Sequence, residues 1–275
     1  MKIGLVLHHD RTEAFELAEE FVELAAAEGL ELLASSEDAK RLGTSAADLD
    51  REQLDAVVAV GGDGTVLEGA RLALQTDAAV LGINAGRVGF LADVDPEGLK
   101  PAVLALAAGE WAEQQFMTVE AAMPDGSRAV GMNDVVIEKI ASQRLVSIEL
   151  AADDREVITY HADGIVICTP SGSTAYNLSA GGPLVDRRLD ALIVTPVASH
   201  GLFAKPLVFS PEVELRCRVA DDRPVGVAVD GRELGSLGAE EHVEIVRGSR
   251  PVRMIQMTGR SFDQVLRKKF GLDSN

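Results

Sequence analysis

Basic side chains, aromatic rings and cysteines are all scarce in this 275-residue sequence, and each shortage removes a class of function. With 26 Lys and Arg against 44 Asp and Glu the formal charge is −18. A sequence pI near 4.6 leaves no basic stripe to displace counterions from nucleic acid or from an anionic membrane surface, so neither partner is expected. Lys is the rarer base, with seven against nineteen Arg. That balance resembles proteins of a salt-rich cytoplasm, as in a halophilic archaeon, where ionic strength screens the repulsion among carboxylates. The two cysteines, Cys168 and Cys217, sit far apart in the strand-like runs ICTP and LRCRV. They form neither a zinc-ligand pattern nor a redox pair, and buried reduced thiols are expected. No apolar run approaches the roughly 18 residues needed to cross a bilayer, and MKIGLVLHHD turns polar without a cleavage signal, so the reading is cytoplasmic. Gly-Lys does not occur at all, which excludes a P-loop.

What is present is an ordinary globular core composition, 47% apolar. Residues 2–8 read as a buried strand, followed by a helix in which Phe15, Ala18, Val22 and Ala25 recur at helical spacing before Gly29. After a polar stretch, DAVVAV reads as a strand, GGDGT as a turn, VLEGARLALQ as a helix and AVLGIN as the next strand. Such alternation predicts a parallel sheet with ligands at the carboxyl ends of its strands. From residue 115 onward the chain changes character to short β-rich runs separated by PDGS, ADDR and DDRP, which predicts an all-β sandwich. The expected division is therefore an α/β domain over 1–114, a β-sandwich domain over 115–256, and a tail helix over 257–275. In that helix Phe262, Val265 and Phe270 would lie on one side and pack back on the first domain.

Three segments carry chemistry. Gly61-Gly62-Asp63-Gly64-Thr65 joins a strand to a helix, where glycines let backbone approach a phosphate and free helix amides favour its charge. A carboxylate there is repulsive unless it holds a metal or takes a proton from an attacking hydroxyl; a plain turn with an acidic helix cap is the bland reading. Asp163 to Tyr176 runs from a strand into a Pro-broken, hydroxyl-rich loop that continues through Asn177, Leu178 and Ser179 to Gly181-Gly182-Pro183. Its hydroxyls suit a base or ribose and Tyr176 suits a ring, although a polar turn would look the same. Asn133-Asp134 opens an apolar run; paired acceptors suit vicinal ribose hydroxyls, and a solvent-exposed strand end is the equal alternative for the pair on its own.

Taken together, GGDGT, the Asn133-Asp134 pair and TPSGSTAY followed by GGP resemble the NAD kinase family in order and spacing, as do Asn84 to Leu91 and Asp230-Gly231. The resemblance spans nearly the whole chain and implies an NAD kinase-like fold with the active site in the crevice between the domains. It implies transfer of a phosphoryl group from ATP or polyphosphate to the 2′-hydroxyl of the adenosine ribose of NAD, giving NADP, with a divalent metal, normally magnesium, bridging donor phosphates. Asp63 is implied as general base. The NAD-binding set is implied to be Asp63, Gly64, Asn133, Asp134, His161, Asp163, Thr174, Ala175, Tyr176, Asn177, Leu178 and Ser179. Gly61, Gly62, Thr65, Asn84, Arg87 and Arg232 are implied near phosphates, with Lys205 a further candidate cation. A homodimer or homotetramer is expected from the same resemblance.

Four positions depart from the family pattern. Asp134 stands for Glu and is one methylene shorter. His161 stands where Arg is common, and an imidazole is not a permanent cation. Glu68 replaces a base after GGDGTVL, and Ser171 replaces Thr. The rival readings are a catalytically weak NAD- or NADP-binding sensor, motivated by Asp134, His161 and Glu68, and a lipid or sugar kinase sharing the GGDG turn.

Overall fold

The computed structural model describes residues 1–86, 89–141, 144–201 and 203–272. Contacts divide the chain into two units, one built from Met1–Gln115 with the chain from Val252 onward, the other from Phe116–Pro251.

The first unit is a wound α/β sheet. In chain order it runs β1 (Lys2–Leu7), α1 (Thr12–Ala27), β2 (Glu31–Ala34), α2 (Ser36–Leu42), β3 (Ser45–Ala46), β4 (Ala56–Gly61), α3 (Asp63–Thr76), β5 (Ala79–Asn84), α4 (Leu99–Ala108) and β6 (Ala112–Phe116). Strands β1, β2, β3, β4 and β5 pair in parallel, in the order β3-β2-β1-β4-β5. Every residue of β4 and β5 is buried, as a parallel sheet covered on both faces requires. The buried stripe of α1 is Ala14, Leu17, Ala18, Phe21 and Ala25, turned from the expected one: Phe15 and Val22 lie at its margin. Phe15 instead carries the Arg41 guanidinium over its ring at 4.3 Å. The polar stretch after β2 folds into α2 because Ser35 caps it, accepting from the Asp38 amide, and Gly43 closes it in the left-handed conformation.

The second unit contains β7 (Val119–Ala122), β8 (Arg128–Gly131), β9 (Asp134–Lys139), β10 (Val146–Ala152), β11 (Arg155–Ala162) and β12 (Gly164–Cys168). Then follow α5 (Tyr176–Ser179), β13 (Leu192–Val197), β14 (Leu207–Phe209), β15 (Leu215–Val219), β16 (Val225–Val229), β17 (Arg232–Leu237) and β18 (His242–Arg247). They form two six-stranded sheets, β11-β10-β15-β18-β7-β8 and β14-β13-β12-β9-β16-β17. Their inner faces interdigitate: Val135, Ile137, Ile165, Ile167 and Val194 of one meet Ile148, Leu150, Cys217, Val243 and Ile245 of the other. Both cysteines are free and buried.

The chain then returns to the first unit. Strand β19 (Val252–Gln256) inserts between β5 and β6, pairing in parallel with β5, which corrects the expected boundary at 256. Period-two alternation in VRMIQ fits either sheet, so only its pairing partner distinguishes them. After it, α6 (Phe262–Phe270) sets Phe270 6.1 Å from Phe90 and buries Val265, while Lys268 pairs with Asp95.

Candidate active site

In the first unit the chemistry-bearing turn sits where β4 ends and α3 begins. Gly62 is the residue before the helix; the Thr65 and Val66 amides donate to its carbonyl, which leaves the Asp63 and Gly64 amides of the first turn for an anion. Asp63, the first helical residue, directs its carboxylate at a neighbouring turn: Oδ2 accepts from the Phe90 amide and Oδ1 from the Leu91 amide, each at 2.9 Å. A Cβ at Gly89 would lie 2.1 Å from Asp63 Oδ1, so this approach requires glycine. The half-buried carboxylate is thereby fixed in orientation by two backbone donors.

Asn84, at the end of β5, is buried and spends its amide on Gly86 O (3.4 Å) and Asp95 Oδ1 (3.1 Å). Burial opposes ionisation of Asp95, but Arg260, Asn84 and Lys268 outweigh it and hold the carboxyl at about 2. The side chain of Asn84 therefore braces this network rather than facing a phosphate, a correction to its expected role. Thr65 is buried against Gly61. Arg87 lies outside the described residues. Glu68 is paired with Arg71 at 3.1 Å on α3, so its charge is partly spent there. A cation that no motif marked does stand at the turn: Arg11 Nη1 lies 3.9 Å from the Cβ positions of both Gly62 and Gly86, and its guanidinium has no ion-pair partner among the described residues. The signal in the sequence was only its place just after β1, at the carboxyl edge of a parallel sheet.

In the second unit β9 and the β12–α5 connection meet. Met132 O accepts from the Thr169 hydroxyl at 2.6 Å and Asn133 O from the Thr169 amide at 2.9 Å. A Cβ at Gly172 would lie 2.1 Å from Asn133 O, so TPSGSTAY can close over the pair only with glycine there. Asp134 stands opposite Cys168 in the β9–β12 register. Burial, then the charge of Asp230, pushes the Asp134 carboxyl up to about 7. No described residue donates a hydrogen bond to it, and Asn133 Oδ1 and Ser171 Oγ are buried without any partner. Two buried polar atoms on adjoining segments are thus left unsatisfied beside a carboxyl that no described residue hydrogen-bonds, which a native fold tolerates where a ligand completes them.

The remaining expected residues divide. Tyr176 is partly exposed and donates to Glu138 Oε1; burial, then that contact, lifts its phenol to about 12. Asp163 pairs with Lys139. His161 is exposed, with Nδ1 2.9 Å from the Ser147 hydroxyl. The Thr174 hydroxyl donates to Ser171 O, Ala175 and Leu178 are half-buried, and Ser179, Arg232 and Lys205 are exposed. Asn177 is corrected: it is fully buried, donates to Ser173 O and Pro183 O, and accepts from the Thr195 hydroxyl at 2.6 Å. Its amide locks the loop and presents nothing to a ligand. Among the described residues no group of three or more His, Cys, Asp or Glu could hold a metal.

A wound α/β unit with a GGDG turn, followed by a β-sandwich unit with an unsatisfied Asn-Asp pair beneath a hydroxyl-rich loop, defines a nucleotide phosphotransferase architecture. Residues 3–111 match the ATP-NAD kinase N-terminal domain and residues 132–257 the ATP-NAD kinase C-terminal domain. The chain is 36% identical to an NAD kinase of Heliobacterium modesticaldum over 97% of each sequence. It is 33% identical to an NAD kinase of Methanothermobacter thermautotrophicus, covering 100% of this chain and 99% of that one. It therefore belongs to the NAD kinase family. Among solved structures, yeast NADH kinase complexed with NADH superposes with a TM-score of 0.91 at 20% identity, over 100% of this chain and 89% of that one. An Archaeoglobus fulgidus NAD kinase in complex with ATP superposes at 0.77 with 25% identity, over 97% and 99%.

Proposed function

We propose that this protein acts as an NAD kinase, transferring the terminal phosphoryl group of ATP to the 2′-hydroxyl of the adenosine ribose of NAD and releasing NADP. The observation that carries the reading is the pair of buried, unpartnered oxygens Asn133 Oδ1 and Ser171 Oγ beside the Asp134 carboxyl, which receives no hydrogen bond from a described residue; together they suit the hydroxyls of a ribose. Thr174, Ala175 and Tyr176 extend this surface toward the adenosine. Asp163 and His161 contribute through the strand end before the loop, and Leu178 and Ser179 through the helical turn after it.

Asp63 takes the proton of the attacking hydroxyl. Its two amide contacts keep it aimed, and each carboxylate oxygen retains a second lone pair for that proton. The backbone of Gly61, Gly62 and Gly64 leaves room for phosphate at the start of α3. Arg11 supplies local positive charge at the GGDG turn against the net −18, where a phosphate would bind. Magnesium belongs to the reading as a cation carried on donor phosphates, the usual mode for this ion. Because the described residues offer no ligand cluster, no step is assigned to it.

The reading also places the enzyme in a salt-rich cytoplasm as a homodimer or homotetramer. Among the described residues no helix is long and apolar enough to cross a membrane. The edge strand β14, with Val208 61% exposed, is a surface on which copies could pair. Purified protein incubated with NAD, ATP and magnesium in molar potassium chloride is expected to yield NADP, read with an NADP-specific dehydrogenase. Tight NAD binding with no product under any donor, polyphosphate included, would make the protein a sensor instead.

A further inference from the structure

The backbone of Met132–Asp134 is clamped from both sides, while the Asn133 and Asp134 side chains are left without partners. On one side the Thr169 hydroxyl and amide hold the carbonyls of Met132 and Asn133. On the other stands Asp230. Its Oδ2 accepts from the Met132 amide at 2.7 Å, and its Oδ1 accepts from the Asn133 amide at 2.8 Å and the Asp134 amide at 3.1 Å. Its own amide donates back to Asp134 O at 3.0 Å.

Asp230 and Gly231 are the two central residues of the β16–β17 hairpin, with Val229 opposite Arg232, and both have positive φ, 48° and 75°, as a type I′ turn requires. Asn would serve such a turn equally well. A buried carboxylate is the costlier choice, and it is placed beside a second carboxylate. The hairpin itself does not require the carboxylate; its two oxygens are used to accept from the three amides of residues 132–134, and its charge also acts on Asp134.

Resting on the NAD kinase reading of this site, we propose that Asp230 is a positioning residue for NAD recognition: it fixes the backbone that presents Asn133 and Asp134, and its negative charge tunes the Asp134 carboxylate that receives the ribose. The groups facing Asp134 are Asp230 from the β16–β17 turn, Cys168 from β12 and Tyr176 from α5. Burial pushes the Cys168 thiol up, and Tyr176 also titrates far above neutrality, so both are uncharged near pH 7, and among the described residues Asp230 is the group whose charge bears on Asp134. Burial pushes the Asp230 carboxyl up as well, and the Met132, Asn133 and Asp134 amides, then Arg232 at the same turn, offset that only in part. A ribose hydroxyl donates to the ionised carboxylate, so KM for NAD falls as pH rises through the titration of Asp134.

The test is the pH profile of kcat and KM for NAD, with folding checked by circular dichroism. Asp230→Asn is expected to move the inflection in KM about one pH unit toward acid, because the repelling charge is gone. KM is expected to rise about tenfold while kcat changes less than twofold. Asp230→Glu keeps the charge, so its inflection stays near the native pH although KM rises. A folded Asp230→Asn enzyme with an unmoved inflection overturns the proposal. So does a loss confined to thermal stability. Should Asp230→Asn fail to fold, carboxyl carbon-13 titration of the native enzyme decides: Asp134 is expected to titrate near neutrality in two steps as Asp230 ionises beside it, and a single step in the ordinary carboxylate range overturns the inference. If the native protein neither binds NAD nor forms NADP, the functional reading fails first and this role fails with it.

Discussion

The two units treat their polar groups in opposite ways. At the GGDG turn nearly every polar group is answered from within: Asp63 by the Phe90 and Leu91 amides, Asn84 by Asp95, and Asp95 by Arg260 and Lys268. Beneath the TPSGSTAY loop the backbone is answered but Asn133, Asp134 and Ser171 are not. A group shared by many phosphate-handling reactions can be rigid and self-contained, since glycine backbone and a helix start suffice for any phosphate. A group that must distinguish one sugar needs side chains kept waiting, at a cost in stability that the ligand removes.

The sharpest way to break this contrast is at Asp63. Asp63→Asn is expected to keep NAD affinity while turnover falls by roughly 10²–10⁴-fold, the usual worth of a general base; unchanged single-turnover rates would make the carboxylate a mere brace for the Phe90 turn.

The cost of waiting can be measured at Asp134. Its carboxyl keeps a proton in the folded protein between about pH 4 and 7, where the unfolded chain has released it. The folded state then binds more protons than the unfolded one, so stability of the ligand-free protein falls as pH rises across that range. Asp134→Asn is expected to remove this slope and to stabilise the free protein at pH 8 by on the order of 2–4 kcal/mol, while weakening NAD binding. Urea denaturation at pH 5 and pH 8 checks both signs.

Gly172→Ala sharpens the comparison from the packing side. The new methyl would sit 2.1 Å from a main-chain oxygen, so a loss of about 1–3 kcal/mol is expected, with NAD affinity falling in parallel. Calorimetry with and without NAD separates the two. The smallest effect belongs to Arg11. Arg11→Ala is expected to raise KM for ATP about threefold to tenfold, on the order of 1 kcal/mol, with an unchanged melting temperature because the side chain is exposed. Repeating the assay in molar salt should shrink that difference by screening.

Both units' strands were legible because apolar runs between Gly- and Asp-rich turns leave few alternatives, and GGDGT and TPSGSTAY were legible as compact strings. What escaped depends on partners distant along the chain. Asn177 reads as a loop amide suited to a ligand until Thr195 and Pro183 come round to consume it. The grip of Asp230 on residues 132–134 exists only once β9 and β16 pair. The stripe of α1 was read slightly turned, with Phe15 and Val22 in place of Ala14, Leu17 and Phe21, because apolar residues stand on adjoining faces of that helix, and the boundary at 256 left β19 in the wrong unit because its pairing partner lies far back in the chain. Arg11 belongs to no motif, and its meaning comes from two glycine turns more than fifty positions away converging on it.

The insertion of β19 between β5 and β6 also sets an order of assembly. A nascent chain leaving the ribosome has already delivered every strand of the sandwich before the residues that finish the earlier sheet have been made. The part begun first is thus completed last, with β5 left as an open template until Val252–Gln256 arrives. A chaperone that shields that bare edge, or a stalled ribosome that withholds the final segment, would act on the amino-terminal unit alone.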